Sequence, residues 1–188
     1  MPNLEHLLRQ LELSPAAITG VIVARGPGSF NGLRVGISAA KGLAFSLGVP
    51  IVGISSLEAE AYQHARTGLP VCPVFNAGRG EIATAMYQKR DGEWLQLADE
   101  GITTVDVLCS GINTKTIFCG EYMPSIAPRV MELLKEKAVI PSATTSMRRG
   151  GFLAELGLKR LEAGDNDEPA TLQPVYLRRP SITRARHR

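Results

Sequence analysis

The residues best able to hold a ligand lie in Gly26-Pro27-Gly28-Ser29-Phe30-Asn31-Gly32, between the apolar run Val21-Ile22-Val23 and a long small-residue segment. Main-chain N–H groups of such a turn can cradle a phosphate where a helix begins. The known forms of that device are not met. Asn31 stands where a dinucleotide fingerprint needs its third glycine, and Gly32 is followed by Leu33-Arg34 rather than the lysine and hydroxyl of a P-loop. A nucleophile elbow at Ser29 fails as well, with Pro27 and Asn31 where glycines belong. Two readings stay open: a tight strand-to-helix turn with Ser29 or Asn31 as N-cap, or an anion held at the helix N-terminus.

Other chemistry is thinly represented. His6, His64 and His187 are the only histidines and form no H-x-x-x-H or H-E-x-x-H pattern, so no metal ligand set is assigned. Cys72, Cys109 and Cys119 are odd in number and lack C-x-x-C spacing, which reads as buried, reduced thiols. Glu58 and Glu60 are two apart on an expected helix and do not face each other; both read as solvated. Arg79 and Glu81 flank a hairpin glycine and read as a turn-stabilising pair. No residue is assigned a catalytic role.

The elements that would position these residues alternate early in the chain. Leu4, Leu7, Leu8 and Leu11 predict an amphipathic helix over 3–13, followed by strand 20–25, helix 32–47, strand 50–55 and helix 57–66. Strand, glycine turn, helix and strand form a βαβ unit. Beyond Gly68-Leu69-Pro70 the pattern changes to strands 71–76 and 81–89 joined as a hairpin, a short strand at 93–98 and another at 114–120. Helices are expected at 124–138 and 146–163, then an extended piece at 174–177. The division is therefore 1–67, a partial N-terminal lobe, and 68–188, a C-terminal lobe with a basic tail.

Helix 32–47 carries two apolar stripes: Leu33, Ile37, Ala40, Ala44 and Leu47, and Val35, Ala39, Gly42, Phe45 and Val49. A helix packed only on its own sheet needs one. A second covering layer is implied, within the domain or from a partner.

Residues 1–177 carry 16 basic and 18 acidic groups, whereas Arg178, Arg179, Arg184, Arg186 and Arg188 add five positive charges at the end. Such a tail can neutralise nucleic-acid phosphates or remain solvated. No run of 18 apolar residues and no secretory h-region occur, so a cytoplasmic protein without membrane contact is expected.

The stretch Ala24-Arg25-Gly26-Pro27-Gly28-Ser29-Phe30-Asn31-Gly32-Leu33-Arg34-Val35-Gly36 resembles the G-R-G-P-G-S-F-T-G-[LV]-R-[IV]-G motif of the TsaB (YeaZ) family. Ala40-Lys41-Gly42-Leu43-Ala44, Gly53-Ile54-Ser55-Ser56-Leu57 and Pro174-Val175-Tyr176-Leu177-Arg178 are similar to further family segments. Asn76-Ala77-Gly78-Arg79-Gly80-Glu81-Ile82 resembles the family's D-A-R-x-G-E-V, with Asn76 in place of aspartate.

The resemblance implies an α/β, actin-like ATPase (ribonuclease H-like) fold of two lobes, the first incomplete. It implies a non-catalytic scaffold in the formation of N6-threonylcarbamoyladenosine in tRNA, pairing with TsaD, recruiting TsaE and meeting tRNA through that complex. No cofactor is expected on this chain alone, with nucleotide only at the partner interface. The implied contact, for TsaD or for a homodimer, uses helices 3–13 and 32–47 through Leu4, Leu7, Leu8, Leu11, Leu33, Arg34, Ile37, Ala40, Lys41 and Ala44. The turn motif is Gly26, Gly28, Ser29 and Gly32. Family members begin with strands that this sequence lacks, which reads as a misplaced start codon or a truncation, leaving the edge of strand 20–25 open. Two alternatives are a superfamily enzyme, peptidase-like or phosphotransferase, and a tRNA-binding module using the arginine tail.

Overall fold

The computed structural model describes residues 2–142 and 150–178, which divide into two compact units. The first comprises Met1–Gln63 and Met147–Pro174, the second His64–Ser146 and Val175–Arg188. The expected boundary after residue 67 lies close to the observed one, but the chain past residue 146 does not all stay in the second lobe. It returns to the first unit through a helix that packs on its strands.

In the first unit, α1 (Pro2–Gln10) is followed by β1 (Val21–Gly26), α2 (Phe30–Leu47), β2 (Ile51–Ser55) and α3 (Ser56–Tyr62). The expected helix 3–13 stops at Gln10 because the chain reverses at Glu12, which takes a positive φ of 54°. β1 and β2 pair in parallel, Val21 opposite Ile51 and Ala24 opposite Ile54. Among the described residues β1 pairs with no other strand. Alternation puts Val21 and Val23 on one face, packed with Ile37 and Ala44 of α2. Ile22 points the other way, towards α6 (Gly150–Glu162). A Cβ on Gly157 would lie 2.4 Å from Ile22 Cγ2, so only glycine lets α6 seat this closely. That contact explains why α6 belongs with β1 and β2. The expected residues 146–149 of this helix lie outside the described residues.

The second unit is a five-stranded sheet in the order β5-β4-β3-β6-β7. β3 (Val71–Gly78), β4 (Glu81–Arg90) and β5 (Glu93–Thr103) form an antiparallel meander, and β6 (Thr116–Cys119) and β7 (Ala138–Val139) extend it in parallel. α4 (Val105–Ser110) and α5 (Met123–Leu134) supply Cys109, Met123, Ile126, Val130 and Leu134 to a core shared with Cys72, Val74, Ile82 and Phe118. β5 runs five residues past its expected end, and α4 was not anticipated. Its signal is Thr104, which caps the helix by accepting the Val107 N–H at 3.4 Å. Gly120, at φ 111°, has room for no side chain, since a Cβ would sit 2.5 Å from Val74 O.

Candidate partner-binding surface and glycine turn

The turn between β1 and α2 takes the first of its two readings. Gly26 adopts a φ of 105°, open to glycine at little cost, and bends the chain off the strand. Ser29 is the N-cap: its Oγ accepts the Gly32 N–H at 3.4 Å and its carbonyl accepts the Leu33 N–H at 2.9 Å. Asn31 lies inside the helix. Serine thus occupies part of the N–H set that an anion would use. The guanidinium of Arg34 lies 5.2 Å from the centroid of the Phe30 ring, one turn back on α2.

The register of β1 slips between Ala24 and Gly26, leaving Arg25 opposite no residue of β2. Such a bulge re-aims its side chain. Arg25 Cδ lies over Gly53, and its Nε is buried with no hydrogen-bond partner among the described residues.

The stripes of α2 separate cleanly. Ile37 and Ala44 are 3% and 1% exposed and form a cluster with Ile51 and Leu172, with Ala40 packed against it. The expected assignment of Ile37, Ala40 and Ala44 to a partner is therefore corrected. They are the stripe that covers the sheet, where removing Val21, Val23 and Ile51 from water fixes the helix. Leu33 and Lys41 are half-buried. The other stripe faces outward: Phe45 is 86% exposed and Val35 70%, with Ala39 and Gly42 exposed between them. A Cβ at Gly36 or Gly42 would meet nothing within 4 Å, so the fold of this unit gives no packing reason for either glycine.

On α1, Leu7 and Leu11 of the expected set are exposed, joined by Leu13, while Leu4 and Leu8 are half-buried. Arg34 is exposed on α2. The structure thus keeps Leu7, Leu11 and Arg34 at the surface and adds Phe30, Val35 and Phe45. Both α2 stripes were legible in the sequence, but which one met the sheet depended on how the helix is rolled about its axis.

Groups that could do acid–base or nucleophilic work are occupied otherwise. Among the described residues no three His, Cys, Asp or Glu side chains come together to hold a metal. Burial pushes the Cys72 thiol up to about 12, and burial also raises Cys109, so neither presents a thiolate at neutral pH. Burial lowers the pKa of His64, favouring its neutral form. Glu60, expected to be solvated, is buried and accepts a hydrogen bond from Gln63 Nε2 at 2.8 Å; Glu58 is half-buried. Glu81 does not pair with Arg79 as expected but with Arg178. His187 lies outside the described residues.

A family model described as TsaD, tRNA N6-adenosine threonylcarbamoyltransferase, matches residues 1–185. The chain is 33% identical over 181 residues to the tRNA threonylcarbamoyladenosine biosynthesis protein TsaB of Bacillus subtilis, covering 95% of this chain and 77% of that protein. The chain belongs to the TsaB family. A shorter match of 55 residues, 47% identical, relates it to the tRNA N6-adenosine threonylcarbamoyltransferase of Geotalea daltonii, spanning 29% of this chain and 16% of that enzyme. Its fold is that of YeaZ from Pseudomonas aeruginosa, with a TM-score of 0.79 at 23% identity over 94% of this chain and 82% of that one. The α/β, actin-like ATPase class expected from the TsaB motifs is the class of that fold.

Proposed function

We propose that the chain serves the formation of N6-threonylcarbamoyladenosine in tRNA as a non-catalytic subunit that binds TsaD through the outward faces of α1 and α2. The observation that carries the reading is the apolar stripe Val35, Phe45 and their small neighbours, exposed on a helix whose opposite stripe is already buried. Two open glycines within a helix lower its own stability and let another helix approach closely. Membership of the TsaB family supplies the pathway, and the TsaD-like character of its family model accords with a pairing of related folds. The same face can close a homodimer in the absence of TsaD. TsaE then joins the pair, nucleotide is held at the partner seam, and the complex works in the cytoplasm on tRNA.

Size-exclusion chromatography with multi-angle scattering of the chain mixed with cognate TsaD, followed by nucleoside mass spectrometry of tRNA incubated with the mixture, tests this. A one-to-one complex that raises threonylcarbamoyladenosine above TsaD alone is the expected result. Separate elution with no gain in the modified nucleoside overturns it.

A further inference from the structure

Arg179, Arg184, Arg186 and Arg188 of the basic tail lie outside the described residues, but unpaired positive charge also stands on α2. Over its 18 residues α2 carries Arg34 and Lys41 and no acidic residue. Neither cation makes an ion pair among the described residues, and Arg34 rests on the Phe30 ring of its own helix. Neither serves the helix itself. With no acidic neighbour there is no i, i+4 pair, and Arg34 lies towards the positive end of the macrodipole.

The spacing of the two cations ties them to the outward stripe. Counted in heptads, Val35 and Gly42 take the a positions and Ser38 and Phe45 the d positions of one seam. Arg34 and Lys41 then fill both g positions along one border of that seam, and Ala39 and Ser46 fill the e positions along the other. All the a, d and e residues are exposed, as is Arg34, while Lys41 is half-buried. The buried Ile37 and Ala44 fall at c, away from the seam. In a helix pair built on such a seam, the e and g side chains border the contact and set the choice of partner. Here one border is basic throughout and the other is uncharged.

A second copy of the chain cannot complete that border. In an antiparallel pair about a two-fold axis g meets g, so each basic border faces its own like charge. In a parallel pair g meets e, where Ala39 and Ser46 offer no counter-charge.

We infer that Arg34 and Lys41 select the partner of α2: the helix that docks on this seam carries carboxylates one heptad apart, facing the two cations, and is preferred over a second copy of this chain. The inference rests on the proposed pairing of α2 with TsaD and adds the chemistry by which that pairing is chosen. Charges at the rim of a contact act on specificity and encounter, and salt screens them.

Titration of cognate TsaD into the chain at about 50 and 500 mM NaCl tests the inference. The probe is Arg34→Gln/Lys41→Gln; Lys115→Gln/Lys137→Gln, exposed in the second unit, controls for net charge. Glutamine keeps helix propensity, so unchanged melting is expected. The α2 double variant should bind TsaD about tenfold more weakly than the parent in dilute salt and equally at high salt, and the control should match the parent throughout. Parent affinity in the α2 double variant at low salt overturns the inference and leaves the proposed function standing, as does an equal loss in the control. A second arm keeps the inference testable without TsaD. The parent is mixed with Arg34→Glu/Lys41→Glu in dilute salt, and sedimentation velocity with one chain labelled reads the composition of the dimers. If TsaD binds none of the chains, the proposed function falls and this arm decides: a mixed pair favoured over either self-pair upholds the inference, and random or absent pairing overturns it.

Discussion

Asp167 accepts the main-chain N–H of Gly53 on its Oδ2 at 2.7 Å, joining the loop after α6 to the middle of β2. The Asp167 N–H donates to Ile51 O at 2.9 Å, and Arg160 Nη1 reaches both Gly53 O at 3.1 Å and Asp167 Oδ2 at 3.3 Å. One residue and one guanidinium therefore do along this edge of β2 what a neighbouring strand would do. Unpaired main-chain groups away from water are costly, and the latch satisfies three of them.

Asp167→Ala should accordingly destabilise the chain by about 1–3 kcal/mol, because Gly53 N–H loses its acceptor while remaining shielded. Asp165 pairs with the same Arg160 but stands in solvent, so Asp165→Ala should change little. Urea unfolding of both variants checks this. Equal effects would show that Arg160, and not the Gly53 bond, is what the latch depends on.

The two stripes of α2 should respond oppositely to charge. Ile37→Glu places a carboxylate under the sheet and should cost about 3 kcal/mol or more, seen as a lowered melting temperature before any partner is added. Phe45→Glu and Val35→Glu should leave melting unchanged and weaken TsaD association by about a hundredfold, the effect of a charge at a desolvated helix contact. Calorimetric unfolding and titration with TsaD separate the two. Normal pairing by Phe45→Glu and Val35→Glu would place the interface elsewhere.

These contrasts mark where sequence reading ran out. The βαβ order, a cap at Ser29 or Asn31 and the hairpin of 71–76 with 81–89 were legible because each rests on local spacing and turn chemistry; the structure selects Ser29. α4 escaped because six residues are too few for a 3.6-residue period to declare itself. The return of α6 to β1 and β2 depends on Gly157 meeting Ile22 across more than a hundred residues, and no local pattern encodes that. Glu60 shows the same limit: it looked like a solvent-facing residue, and its burial is set by its surroundings in three dimensions. For the candidate surface, both apolar stripes of α2 were visible, but their allocation needed the sheet beneath them.

Glycines on the two helices should separate by what surrounds them. Gly157→Ala drives a methyl into Ile22 and should destabilise by about 1–3 kcal/mol. Gly42→Ala meets open space and should stabilise the isolated chain by up to about 1 kcal/mol through helix propensity. If α2 is the partner helix, that gain should come with weaker TsaD binding. Thermal melts and TsaD titrations of the pair measure both signs. Stronger or unchanged binding by Gly42→Ala would show that close helix approach is not used at that position.

His64 should make the chain less stable in acid. Burial holds its folded pKa below the ordinary imidazole value of 6.5, and its Nε2 has no hydrogen-bond partner among the described residues. The unfolded chain therefore binds the proton more readily than the folded one as pH falls through 6.5, and stability rises with pH in that window. Once pH passes below the lowered folded pKa, the penalty stops growing. His64→Asn removes the titration, so the difference in unfolding free energy between pH 7 and pH 5 should be smaller in the variant than in the parent. Denaturant curves at the two pH values give that difference directly, and identical differences would mean that the folded imidazole accepts its proton without penalty.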